Sequence, residues 1–306
     1  MKARSYLNAL RGLIDELGLR AGVRSGLGRL YLRTVVDTDW ESSTIFEHDE
    51  WDVLVLVDGC RYDLFCEVEN EYEYIETSEP RMSPASCTWE WLPTLVSETD
   101  ETQLAEMAYI TANPQSCQFL DGEEFGYLDE VWRDAWDRER GTVLPRPVTD
   151  RAIRYWRGRT DETDRMILHY MQPHVPFVKS PRSPALRHEN FSSGEEVADD
   201  WVLASRGERD ISAVWEDYRE NLRIVLDDIE ILLENLDAES VVISSDHGNA
   251  AGEYGIYGHP ALPHPKLREI PWAKVNADDS HTHEPSEHDS QTAESVDEML
   301  AALGYR

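Results

Sequence analysis

Residues 51–59 read WDVLVLVDG. The centre of this stretch, Val53-Leu54-Val55-Leu56-Val57, is unbroken, apolar and rich in β-branched side chains. Such a run, with no polar alternation, predicts a strand buried on both faces, as in the middle of a parallel sheet. It stops at Asp58-Gly59, where a strand end gives way to a loop. Working outward, MAYITAN (107–113), RMILHYMQ (165–172) and ESVVISSDHG (239–248) repeat the pattern, and the last again ends on Asp. Helical periods lie between them at 89–98, 148–158 and 213–236, the last marked by Tyr218, Leu222, Val225, Leu226, Ile229, Leu232 and Leu233. Strand–helix alternation over most of the chain predicts an α/β layered fold around a mostly parallel sheet.

Three segments make up the chain on this reading. Residues 1–45 hold an N-terminal helix, whose glycines at 22, 26 and 28 break it into a loose connector. Residues 46–275 form the main α/β domain. Residues 276–306 are an acidic linker, NADDSHTHEPSEHDS over 276–290, expected to be mobile, and a short helix at 292–303.

The 306 residues carry 29 Lys+Arg against 61 Asp+Glu, a formal net charge of −32. Nucleic acid is excluded as a direct partner, because its phosphates would be repelled. The acids are spread along the whole chain, and there are four lysines against 25 arginines. That balance resembles a salt-adapted, halophilic proteome, in which strong salt screens the repulsion. No run of 18 apolar residues predicts a membrane span. The basic, amphipathic start MKARSYLNALRGLIDELGLR lacks the form of a signal peptide, so the expected location is the cytoplasm. That start could also dock peripherally on an anionic membrane surface, against the alternative of a helix packed on the domain. Cys60, Cys66, Cys87 and Cys117 show neither C-x-x-C nor zinc-finger spacing and read as reduced thiols.

Ligands gather at the C-terminal ends of strands in open α/β sheets. Three strand ends carry groups able to bind metal: Asp58; His169 and His174; Asp246 and His247. Asp and His together suit zinc or another borderline divalent ion. An Asp after a strand is equally a cap or turn former, and the alternation along 165–172 assigns His169 a structural role.

VLVLVDGCRYDLF, HYMQPHVPF, VVISSDHGNAAGEYGIYGHP and PKLREIPW together resemble the alkaline phosphatase superfamily, in its sulfatase-like branch. The resemblance spans roughly residues 50–275 and implies a three-layer α/β/α sandwich. It also implies a metal-dependent hydrolase or transferase acting on phosphate or sulfate esters through a metal-bound Ser, Thr or modified Cys. The nucleophile then falls in SPASCTWEWLPTLV (83–96). Thr88, followed by Leu92-Pro93, fits the family spacing, and Ser86 and Cys87 remain alternatives. A helix start also suits an anion physically. Neither Cys87-Thr-Trp-Glu-Trp91 nor Ser83-Pro-Ala-Ser-Cys87 stands in the C/S-x-P/A-x-R frame, which speaks against a formylglycine sulfatase. A single Asp58 where sulfatases commonly carry two draws the pattern toward transferases of phosphoethanolamine or glycerol phosphate.

By this resemblance Asp58, Thr88, Asp246 and His247 hold one divalent ion, zinc first, with manganese, magnesium or calcium as alternatives. His174 meets the phosphoryl or sulfuryl oxygens, and His259 serves a second metal or the leaving oxygen. Arg61 supports the first helix by pairing with Asp58 or an acidic neighbour. The implied partner is a small-molecule, glycan-linked or lipid-linked ester. His281, His283 and His288 read as solvated, and His264 and the oligomeric state are left open. A rival reading is a degenerate, non-catalytic module in glycan or surface-polymer assembly. Convergence of Asp58, Thr88, Asp246 and His247 separates the two.

Overall fold

The computed structural model describes residues 3–35, 51–159, 163–180, 199–288, 296 and 299–300. Two N-terminal helices, α1 (Ala3–Leu17) and α2 (Leu19–Val35), precede the strands. The strands are β1 (Val53–Val57), β2 (Glu79–Met82), β3 (Met107–Thr111), β4 (Tyr127–Glu130), β5 (Trp136–Asp137), β6 (Thr142–Val143), β7 (Arg165–Tyr170), β8 (Val241–Ser244), β9 (Ala250–Ala251), β10 (Tyr257–Gly258) and β11 (Glu269–Val275). Seven of them form one sheet in the order β2-β11-β8-β1-β7-β3-β4. Strands β8, β1, β7, β3 and β4 pair in parallel, and β11 runs antiparallel between β8 and β2.

Strand β1 sits near the middle of that sheet and shows why its sequence has no polar alternation. Val53, Val55 and Val57 pack on one face, in a core with Ile153 and Trp156 of the helix Pro145–Gly158 and Leu222, Leu226 and Ile229 of the helix Ile211–Leu233. Leu54 and Leu56 pack on the other, with Trp91, Leu92 and Leu95 of the helix Thr88–Glu98. Both faces of a parallel strand are thereby removed from water. The result is three layers, helices on each side of a mostly parallel sheet.

Two expectations are corrected. The glycines at 22, 26 and 28 do not loosen the N-terminal segment. Gly18, at φ 80°, separates α1 from α2, and Gly22, Gly26 and Gly28 are buried inside α2. A Cβ on Gly22 would lie 2.6 Å from the backbone of Leu13 and Ile14, so Gly there lets the two helices touch. Nor is 276–288 a loose linker. Asp278 N donates to Leu233 O, Arg157 pairs through two nitrogens with Asp279, and Arg154 Nη2 donates to Ser286 O. His281 is exposed, whereas His283 and His288 reach the buried carboxylate of Asp150. Polar anchoring carries no apolar period, which is why the sequence reads as unstructured there. Residues 36–50, and most of the expected helix 292–303, lie outside the described residues.

Candidate metal and ester-transfer site

The four neighbouring strands β8, β1, β7 and β3 deliver their C-terminal ends to one place. Asp58 follows β1, Asp246 and His247 follow β8, His169 lies near the end of β7 with His174 just beyond it, and Asn113 follows β3. All six are buried. Asp58, Asp246 and His247 each present one ligand atom, and these atoms lie within 4.8 Å of one another. Thr88, the first residue of the helix Thr88–Glu98, closes the group: its Oγ1 donates to Asp246 Oδ2 at 2.7 Å and stands 3.2 Å from His247 Nε2. The first N–H groups of a helix have no partner in the preceding turn, so this end favours an anion.

The donor set fits a cation. His247 Nδ1 lies 2.8 Å from Gly248 O, which can only accept, so the ring proton sits on Nδ1 and Nε2 carries a lone pair. That lone pair faces Asp58 Oδ1 at 3.7 Å and Asp246 Oδ2 at 3.4 Å, neither of which can donate when ionised. Asp58 Oδ1 is buried without a hydrogen-bond partner. A buried acceptor left in this state is costly, and a divalent ion among these atoms resolves it with the imidazole oriented through its other nitrogen. Elsewhere the same carboxylates are satisfied: Asn113 Nδ2 donates to Asp58 Oδ2 at 2.7 Å, and the Gly59 and His247 N–H groups donate to Asp246 Oδ1 at 3.1 and 2.9 Å. Burial works to raise the Asp58 carboxyl, but positive charge on the surrounding imidazoles when they are protonated, His174 first, then His169 and His247, outweighs it and holds the group below its ordinary range.

His174, His259 and His169 stand around the same group. His174 Nδ1 lies 2.5 Å from Val175 O, and its ring centroid is 4.8 Å from that of His259. His259 stacks on His247 at 4.7 Å and places Nδ1 3.2 Å from Asn249 Oδ1. Burial, with the neighbouring His247 and His174, pushes His259 well below the usual imidazole range, toward the neutral ring. His169 is in the group and not apart from it. Both faces of β7 are buried, and the face carrying His169 meets Trp91 and Tyr109. Tyr109 Oη lies 2.8 Å from its Nδ1, so Nε2 points toward Asp58 and Asp246 at 3.5 and 3.7 Å.

The alternatives in 83–96 lie differently. Ser86 Oγ donates to Glu90 Oε2 at 2.9 Å and accepts from Leu262 N at 3.3 Å. Cys87 caps the helix in extended geometry, and burial beside Glu90 pushes its thiol up, away from thiolate. Arg61 does not pair with Asp58. It takes Asp63 through two nitrogens at 2.7 Å and holds Glu253 and the Asn249 carbonyl through Nη1 at 2.8 and 3.0 Å. It thereby fixes the start of the helix Tyr62–Val68 and the turn after His247 to each other. His264 is the N-cap of the helix Pro265–Arg268, accepting from Lys266 N at 3.0 Å.

No family model and no curated relative matches the sequence. Solved structures do. The soluble domain of lipooligosaccharide phosphoethanolamine transferase A from Neisseria meningitidis is 16% identical, with TM-score 0.51, over 82% of this chain and 86% of that one. The chain has an alkaline-phosphatase-like fold. The integral membrane form of the same transferase is 15% identical at TM-score 0.52, over 99% of this chain but 63% of its own length. A protein of the alkaline phosphatase superfamily from Vibrio parahaemolyticus is 11% identical at TM-score 0.40, over 95% of this chain and 77% of that one. What the chain shares with the phosphoethanolamine transferase domain is thus its fold. Asn113, Asn249 and the site role of His169 escaped the sequence reading. Asn113 carried a usable signal, since it ends a fourth buried strand, as Asp58 ends the first.

Proposed function

We propose that the chain is a metal-dependent hydrolase or transferase of phosphate or sulfate esters, with Thr88 as nucleophile. The observation that carries this reading is the Thr88 hydroxyl, set 2.7 Å from Asp246 Oδ2 and 3.2 Å from a His247 lone pair at the head of a helix. Asp58, Thr88, Asp246 and His247 would hold one divalent ion, zinc before manganese, magnesium or calcium. When bound, the ion lowers the pKa of the hydroxyl and offsets negative charge on the ester. Asp246 Oδ2 accepts the Thr88 proton as the oxygen attacks phosphorus or sulfur in line. The bond from Thr88 Oγ1 forms as the bond to the leaving oxygen breaks, and that oxygen leaves with a proton from solvent or a neighbouring donor. His259, stacked on His247, and His174, beside His259, position the non-bridging oxygens. Water or an acceptor alcohol then takes the group from Thr88. A location in a salt-adapted cytoplasm is part of the same proposal and rests on composition alone.

The test is turnover of an aryl phosphate, an aryl phosphodiester and an aryl sulfate before and after chelation. Chelated protein is expected to lose turnover, and an added divalent ion to restore it. Undiminished turnover in metal-free protein sinks the mechanism. The better of the three esters assigns the substrate class.

A further inference from the structure

Helix α2 is built the wrong way round for a helix of a water-soluble domain. Its buried positions are Gly22, Ser25, Gly26, Gly28 and Leu32. Its exposed positions include Leu19, Val23, Leu27 and Leu30, with relative exposures of 68, 37, 61 and 39%. These four recur at i, i+4, i+8 and i+11 and so form one stripe along the helix. Val35 and, on α1, Leu7 are also exposed. By helical position Arg20 flanks the stripe on one side and Arg33 on the other. Residues 3–35 hold six arginines against two acids, a net of +4, on a chain whose formal net charge is −32.

The small face of α2 is occupied. Gly28 lies so close to Tyr254 that a Cβ would fall 1.8 Å from its carbonyl oxygen, Tyr31 stacks on Tyr254 at 5.5 Å, and Arg24 Nη2 donates to Gly252 O at 3.3 Å. The helix is therefore seated on the domain by its glycines, on the segment that runs from His247 to His259. Seating on the domain does not cover its leucines.

We propose that the stripe Leu19/Val23/Leu27/Leu30, with its flanking arginines, docks the protein on an anionic lipid bilayer. An interfacial helix needs an apolar face to enter the headgroup–acyl boundary and cations beside it to meet anionic lipid. The rest of this acidic chain would be repelled by such a surface, but repulsion beyond about 10 Å is screened at 0.1 M salt, so the local excess of arginine over acid beside the stripe decides. A second copy of the chain is a poorer occupant, because the same arginines would oppose each other across the contact. Binding is read without turnover, so the proposal stands or falls apart from the ester-transfer reading.

The full chain is to be sedimented with vesicles of equimolar phosphatidylglycerol and phosphatidylcholine, and with phosphatidylcholine alone. Binding is expected to the first and not the second, and to weaken at about 1 M salt, where the screening length falls to about 3 Å. The L19E/L27E double variant alters two residues more than 60% exposed, so its circular dichroism should be unchanged while partitioning falls by at least about tenfold. No binding to the anionic vesicles, equal binding to both, or binding untouched in L19E/L27E each overturns the proposal. A solution dimer that L19E/L27E dissociates also overturns it and assigns the stripe to a second copy.

Discussion

Among the described residues two places set a buried carboxylate between imidazoles, and they are opposites. Around Asp58 and Asp246, the His247 and His169 Nε2 atoms stand 3.4–3.7 Å from carboxylate oxygens, and Asp58 Oδ1 has no hydrogen-bond partner. Around Asp150, His283 Nε2 lies 2.6 Å from Oδ1 and His288 Nε2 lies 2.6 Å from Oδ2. The first group converges with donors to spare. The second is closed, one N–H to each oxygen, and leaves no room for an ion between. Histidine and aspartate together therefore do not define a metal centre. What separates the two is whether the lone pairs are used up.

The largest effect expected from that difference is on chemistry. Thr88→Ala should cut turnover by roughly three to six powers of ten, as loss of a nucleophile does. Thr88→Ser, which keeps an oxygen at the same place, should recover part of it. Ser86→Ala and Cys87→Ala should stay within about tenfold of the parent, since Ser86 serves Glu90 and Leu262. Single-turnover rates on the best aryl ester decide this, and a dead Ser86→Ala beside an active Thr88→Ala moves the nucleophile by two residues.

Next comes metal content. Asp246→Asn removes one of the two carboxylates of the open group and should lower bound divalent ion at least about tenfold. His283→Gln, in the closed group, should leave metal content unchanged. Elemental analysis after dialysis against zinc reads both. Metal that survives Asp246→Asn but falls in His283→Gln would reverse the assignment of the two sites.

Most of the frame that brings the open group together was legible from local sequence. Apolar runs at 53–57, 107–110 and 166–168, bounded by polar residues, read as strands covered on both sides, whose polar ends then share an edge. What was not legible depended on partners distant in the chain. His169 lies on a face that alternation assigns to packing, and only Tyr109, 60 residues away, turns its Nε2 to the carboxylates. The 276–288 segment reads as solvated because its anchors are ion pairs and carbonyl contacts, which leave no periodic trace. Glycines at 22, 26 and 28 read as breakers, since nothing local reveals that α1 and Tyr254 press against them.

The smallest effect is on stability, and it sharpens the contrast from the other side. Asp150 is 1% exposed on the helix Pro145–Gly158, and its two oxygens tie down His283 and His288 from a segment with no apolar core of its own. Asp150→Asn keeps the shape but replaces one acceptor oxygen with an NH2 group that faces an imidazole. One hydrogen bond to a charged group is lost, and that should cost roughly 1–3 kcal/mol in denaturant unfolding. Turnover per folded molecule should not change. In the metal-free chain Asp246→Asn should cost less than this, because it removes one of two like charges held close together. A single denaturant series on the metal-free parent and the two Asp→Asn variants ranks them. If Asp246→Asn is the more destabilised of the two, the open group is held together by its own hydrogen bonds, and the distinction drawn between a waiting site and a structural clamp fails.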